Sequence, residues 1–198
     1  EFTDHVGAPV QEGLLLVHNT LKGLGLRGKV RLGSAGKVVN AFDAVRLMAL
    51  GADWVNSARG FMFALGCIQA QHCHTGHCPT GVTTQDPKRQ QALVVPEKAE
   101  RVYRFHDETL KALREIVQAA GLTHTRDIRT HHIVRRVNEN EVRLLSNLVP
   151  QVEAGALLQT DIDDLHAVFR YWWPLVRPDS FNLSERWWDK QPSEARKT

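Results

Sequence analysis

The chain has 198 residues, 42% of them hydrophobic and 24% charged, which suits one globular domain with a real core or part of a larger one. A formal net charge of +3 is too small to point to nucleic-acid binding. No run approaches the roughly 18 apolar residues of a membrane span, and no signal peptide is visible. The sequence opens on Glu1 rather than Met, so it is processed or an excerpt, and the reading below favours the excerpt.

Val10, Leu14, Val17, Leu21 and Leu24 recur at helical spacing, with Pro9 placed to open the helix. "KVRLGSA" reads as a short buried strand. "NAFDAVRLMALGA" follows as a helix with Asn40 as N-cap and Ala44, Leu47, Met48 and Leu50 on one face. "DWVNSA" predicts a second strand and "RGFMFALGCIQA" a third helix, which would carry Cys67. This alternation is the rhythm of a parallel α/β sheet or barrel. Three prolines in "CPTGVTTQDPKRQQALVVP" predict an ordered loop with little regular structure. A long helix then starts at Pro96 and ends at Gly121, with Ala99, Val102, Phe105, Leu110, Leu113 and Val117 as its apolar stripe. "NENEVRLLSNL" predicts a short helix, and the tail carries "FRYWWP" and "RWW" before a disordered last ten residues. There is no internal repeat.

"GSAGK", residues 33–37, has two residues between its glycines and Val38 after its lysine. A P-loop needs four, and a Ser or Thr after the lysine, so a nucleotide triphosphatase is not indicated. Gly36 and Lys37 follow the first predicted strand, and Asn56, Ser57, Ala58 and Arg59 lie at and past the end of the second. In a parallel barrel such turns lie side by side at the C-terminal face, where small residues and cations can hold a phosphate; ordinary βα turns share the composition.

The three cysteines, Cys67, Cys73 and Cys78, fall within twelve positions as C-x5-C-x4-C. That spacing is no secreted disulfide framework and fits a reducing, cytoplasmic setting. An iron–sulfur cluster suits several thiolates from one loop with Pro79 after the last, and three thiolates favour a three-iron core. Zinc is the rival, with one of His72, His74 or His77 as fourth ligand, although its usual pairs are closer in sequence. Three reduced thiols without metal is the bland alternative. The basic "RTHHIVRRVNENE" lacks aromatic stacking partners and reads as a solvated surface. The aromatic residues of 171–188 read as core anchors or a docking surface, and His5, His18 and His106 as structural.

"GADWVNSARGFMFALGCIQAQHCHTGHCPTGVTTQDP" resembles the end of the FMN-binding, glutamate synthase-type barrel. The resemblance covers at least residues 5–120 and is closest to the short, stand-alone FMN-binding members of that family. It implies an α/β fold: the C-terminal part of a TIM (β/α)8 barrel, its last two strands and helices, then a cysteine loop and a mainly helical C-terminal extension. The expected divisions are 1–66, the barrel end; 67–95, the iron–sulfur loop; 96–188, the extension; and 189–198, the tail. By position, Cys67, Cys73 and Cys78 would hold a 3Fe–4S cluster, while Gly36, Lys37, Asn56, Ser57, Ala58 and Arg59 would hold FMN. Where many relatives have Asp-Gly-Gly after strand seven, this chain has Ala35-Gly36-Lys37, and Asn56-Ser57-Ala58 replaces a glycine-rich turn. The activity implied for the intact enzyme is reductive formation of glutamate from 2-oxoglutarate and glutamine- or ammonia-derived nitrogen. Electrons would come from a donor protein or an NAD(P)H-linked subunit. The first six βα units are expected before Glu1, with the catalytic residues among them, so this piece alone is expected to be inactive. A non-catalytic metal-binding module, or another FMN-dependent oxidoreductase on the same barrel, are the alternatives.

Overall fold

The computed structural model describes residues 7–159 and 164–180. His5, Trp187, Trp188 and the last ten residues, for which expectations are stated above, lie outside the described residues.

Helix α1 spans Val10–Gly23 and leads to strand β1, Gly33–Ala35. Helix α2, Ala41–Ala49, carries the chain over to strand β2, Trp54–Asn56, which pairs in parallel with β1. Helix, strand, helix, strand thus stands as expected, though only the last three residues of "KVRLGSA" form a ladder. Asn40 caps α2 as expected: its side chain accepts the Asp43 N–H, and the Asp43 carboxylate accepts the Asn40 N–H in return.

Helix α2 is buried on two sides, which explains its dense apolar sequence. Leu47 and Leu50 pack with Leu14 of α1, Val38, Ala52 and Leu145. Val45 and Ala49 pack on the other side with Val117 and Ile128. Full burial of a leucine such as Leu47 contributes about 1.5–3 kcal/mol. Helix α3, Arg59–Leu65, follows β2, and a short helix α4, Pro87–Gln90, interrupts the loop beyond it.

The long helix α5, Val95–Ala119, ends before Gly121 as expected. Its stripe is only partly buried: Val117 is in the core, Phe105 meets Phe61 of α3 edge-on with ring centroids 5.1 Å apart, and Leu110 remains exposed. The helix expected over "NENEVRLLSNL" is corrected to a hairpin, strands β3 (Val134–Asn138) and β4 (Glu141–Leu144), running into a 3₁₀ turn at Leu145–Asn147. The turn at Glu139-Asn140 is held by the Asn138 side chain, which accepts the Asn140 N–H. Both strands are largely exposed, in line with a solvated surface over this basic stretch. The buried Asn19 donates to Pro150 O at 3.0 Å and ties the following segment to α1. Helix α6, Ala167–Trp172, buries Phe169 against Val152 and Leu157, and the Trp173 indole N–H bonds to Leu157 O. Tyr171 and Trp172 are 38% exposed, so the aromatic segment anchors through some rings and shows others to solvent. Among the described residues no helix is long and apolar enough to cross a membrane.

A polar network closes the N-terminal end of the strands. Arg27 donates to Asp53 at 2.9 Å, to Gly51 O at 2.7 Å and to His18 Nδ1 at 3.1 Å. Burial first, then Arg27 and Lys22, hold the His18 pKa below its ordinary value, so the folded chain keeps that imidazole neutral. Burial would raise Asp53, but the Leu32 N–H and the Arg27 and Arg31 guanidiniums outweigh it and hold the carboxyl low. Both groups bind protons more readily when unfolded. The His18 contribution is therefore full above about pH 6.5 and lost as pH falls toward the folded pKa; that of Asp53 is full above about pH 4 and lost below. We expect the urea midpoint to fall between pH 7 and 5, with a shallower fall in His18→Gln. His132, held down by burial, His131 and Arg129, leaves a residual slope in that variant. Parallel falls in parent and variant would remove His18 from the account.

Candidate functional site

Parallel pairing sets Ala35 opposite Asn56, so both strands end at one edge of the sheet and their turns emerge together. In the first turn, Lys37 takes a left-handed backbone (φ 53°) between Gly36 and the capped start of α2. Gly36 lies so close to α1 that a Cβ there would stand 2.8 Å from Val10 Cβ. The Ser57 hydroxyl donates to Val38 O at 2.8 Å and clamps the second turn to the first. Ala58 gives α3 no side-chain cap, and Arg59 opens that helix.

Gly36, Lys37 and Arg59 line one cavity of about 840 Å³, walled by β1 and the start of α1. That volume lies within the usual range for small-molecule sites. Arg46 of α2 also lines it and bonds to Asp43 at 3.4 Å. The described lining therefore contains three cationic side chains and no carboxylate, a positive surround even with Asp43 paired to Arg46 behind it. Asn56, Ser57 and Ala58 are not on the lining; they shape the turn that presents Arg59. Sequence reading missed Arg46, because a lone arginine on an amphipathic helix carries no local mark of the space it faces.

The expected third helix stops early, and Cys67 does not lie on it. Gly66 adopts φ 108°, a conformation that favours glycine, and closes α3. The Cys67 N–H bonds to Met62 O at 3.0 Å and the Gly66 N–H to Phe63 O at 2.9 Å, a Schellman ending. Cys67 is thus fixed to the last turn of α3 by its backbone, one residue past the cap. The seven residues of α3 advance roughly 10 Å along the helix axis.

All three cysteines line a single small cavity together with Met62, Thr80 and Thr83. Cys78 is buried, Cys67 half-buried and Cys73 exposed. The Gln69 N–H points to Cys67 Sγ at 3.5 Å, and the Thr80 hydroxyl lies 3.4 Å from Cys78 Sγ. The Thr80 hydroxyl first, then the Thr83 backbone N–H, lower the Cys78 pKa to about 6 against the opposing effect of burial. The sulfur is accordingly thiolate at neutral pH, the form a metal ligand needs. The far side of the loop is braced: Thr84 Oγ1 donates to Gly76 O, and Gln90 donates to Thr84 O at 3.0 Å.

Among the described residues no three His, Cys, Asp or Glu converge closely enough to hold a single metal ion. His72 lines the thiol cavity, whereas His74 and His77 do not. As folded, the described side chains do not stand about 2.0–2.3 Å from one point, as the ligands of a zinc ion would. Thiols facing a shared space, with N–H and hydroxyl donors at two of the sulfurs, fit the donor set of an iron–sulfur cluster. As folded here the space is about 10 Å³, room for one water, and Cys73 on its rim is exposed.

A family model described as a conserved region in glutamate synthase matches residues 1–123. The chain belongs to the glutamate synthase family. This glutamate synthase family chain is 39% identical over 151 residues to the glutamate synthase large subunit-like protein YerD of Bacillus subtilis, covering 76% of this chain and 29% of that protein. It is 31% identical over 147 residues to the archaeal glutamate synthase [NADPH] of Methanocaldococcus jannaschii, covering 73% and 29%. Against the glutamate synthase [NADPH] large chain of Azospirillum brasilense it is 33% identical over 158 residues, 79% of this chain and 9% of that one. The chain thus spans less than a third of the length of the relatives it matches.

Proposed function

We propose that this chain forms the FMN-phosphate and iron–sulfur end of a glutamate synthase-type flavoprotein oxidoreductase, with β1 and β2 as the last two strands of a (β/α)8 barrel. The observation that carries the reading is the parallel register of Ala35 with Asn56, which gathers both turns at one edge beside a cavity lined by Lys37, Arg46 and Arg59. A two-stranded parallel sheet is a small piece of the many-stranded sheets in which parallel strands occur, which supports the barrel reading.

In this reading Gly36 and Lys37 approach the flavin phosphate with backbone and charge, and Arg59 supplies a charge-assisted hydrogen bond. Arg46 adds positive potential, while Ser57 and Ala58 act by fixing the turn and Asn56 by ending the strand. Cys67, Cys73 and Cys78 hold the 3Fe–4S cluster, and the Schellman ending of α3 couples its first ligand to the helix that Arg59 begins. When bound, FMN supplies hydride chemistry and the cluster one-electron transfer, for reductive formation of glutamate from 2-oxoglutarate and glutamine or ammonia nitrogen, fed by a donor protein or NAD(P)H-linked subunit. In this reading the protein works in a reducing, cytoplasmic setting, which its three unpaired cysteines support.

Titration of FMN into the full chain, followed by quenching of flavin fluorescence, tests the phosphate site. Arg59→Ala is expected to lose about 1.5–3 kcal/mol, at least tenfold in affinity, the range for a hydrogen bond to a charged group. Riboflavin, which lacks the phosphate, should bind parent and variant alike. Equal FMN affinity in parent and Arg59→Ala would reject the assignment.

A further inference from the structure

Thr83 Oγ1 is buried with no partner in good hydrogen-bond geometry, its contact with Cys78 being a minor one that helps hold that thiol's pKa down, and Thr83 lines the cavity that Cys67, Cys73 and Cys78 share. A buried hydroxyl so weakly satisfied is a net cost, which a sulfur placed for a full hydrogen bond would remove. Thr80, three residues earlier, already sets its hydroxyl 3.4 Å from Cys78 Sγ. Of the other lining residues Met62, Pro79 and Val82 offer no side-chain oxygen or nitrogen, while Gln71 and His72 do but make no hydrogen bond to Thr83 Oγ1. The one chemistry for which this space collects thiols is soft and electron-rich, and an inorganic sulfide or a cluster-bound thiolate is the acceptor it would bring within reach of Thr83.

We propose that Thr83 is a positioning residue that donates its hydroxyl to a sulfur of the iron–sulfur cluster and thereby raises the reduction potential of that cluster. The proposal rests on the iron–sulfur reading given above. Reduction adds negative charge inside the cavity, and a hydrogen-bond donor aimed at sulfur stabilises the more negative state. Loss of the donor therefore shifts the potential to more negative values. The rival occupant is one water, for which the cavity has room, and it would satisfy Thr83 without affecting any cluster.

The test is an EPR-monitored redox titration of the full chain, reconstituted anaerobically with iron and sulfide, as parent, Thr83→Val and Thr83→Ser. Valine keeps the shape and removes the donor; serine keeps the donor. The expected result is a negative shift for Thr83→Val and a potential for Thr83→Ser that matches the parent. Should Thr83→Val fail to hold a cluster, Thr83→Ala against Thr83→Ser makes the same comparison. A cluster signal with equal potentials in donor-bearing and donor-free variants overturns the role of Thr83 and leaves the iron–sulfur reading standing. No cluster signal in the parent overturns that reading and the role of Thr83 with it.

Discussion

Cys78→Ala should leave the chain unable to assemble a cluster, with iron and acid-labile sulfide falling by more than about tenfold after anaerobic reconstitution. Cys78 is the buried thiol of the three, its sulfur faces the Thr80 hydroxyl, and its thiolate persists down to about pH 6. It is also the cysteine on the braced side of the loop, where Thr84 bonds back to Gly76 and Gly81 N–H bonds to Cys78 O at 3.3 Å. Cys73 is exposed and lies just after Gln69 and Gln71, both in left-handed backbone conformations. Residues other than glycine reach that region at some cost. Cys73→Ala should also lose the cluster, because three thiolates leave none to spare. The two variants should differ before iron is added: Cys78→Ala alters the chain's own packing and lowers its unfolding midpoint, whereas Cys73→Ala does not. Full iron and sulfide binding in Cys78→Ala would remove it from the ligand set.

Gly51→Ala should be strongly destabilising, among the most damaging single methyls in the described residues. Gly51 has φ 114°, and a Cβ there would stand 2.1 Å from His18 Nδ1 and 2.4 Å from its Cγ. His18 Nδ1 is the atom that accepts the Arg27 Nε–H, and Gly51 O accepts from the same guanidinium. Moving either partner therefore breaks the network joining α1, the loop before β1 and the turn before β2. The backbone cost of a side chain in this region is about 1–2 kcal/mol, and overpacking adds about 1–3 kcal/mol. The sum, about 2–5 kcal/mol, is a large part of a small domain's stability. Urea unfolding measures it. His18→Ala in the Gly51→Ala background should recover the steric share but not the backbone share, so the double variant lies between the two extremes. An unchanged midpoint for Gly51→Ala would contradict the contact.

The alternation of elements was legible because its signals are local. Val10 to Leu24 repeat at the helical period, Asn40 precedes an apolar run, and Gly121 follows one. The hairpin was not. A bulge between Arg136 and Asn138 breaks the strand alternation that would have marked β3, and both strands stay exposed, so no buried face writes a period of two. The overlong third helix was avoidable: Gly66 is a C′ glycine, a signal available in "FALGCI" but masked by the apolar residues on either side. Leu110 fitted the stripe of α5 yet faces solvent, because periodicity reports which face is apolar and not whether anything covers it.

At the candidate site, the cysteines were legible from spacing alone, while their surroundings were not. Thr80 and Thr83 sit in a run of turn residues where hydroxyls are common, and only the folded loop brings them to the thiols. Lys37 and Arg59 were identified from their turns, but Arg46 needed α2 to be docked before its place became visible. Ser57 was legible as a turn residue, but that its hydroxyl donates to Val38 O and joins the two turns needed the fold.

Metal and sulfide analysis of the full chain, reconstituted anaerobically with iron, sulfide and zinc in competition, is the most direct test of the account. The account predicts iron and acid-labile sulfide in roughly a 3:4 ratio, with the EPR signal of an oxidised three-iron cluster. One zinc per chain with no sulfide would contradict it, and would make the loop of Cys67, Cys73 and Cys78 a structural metal site instead.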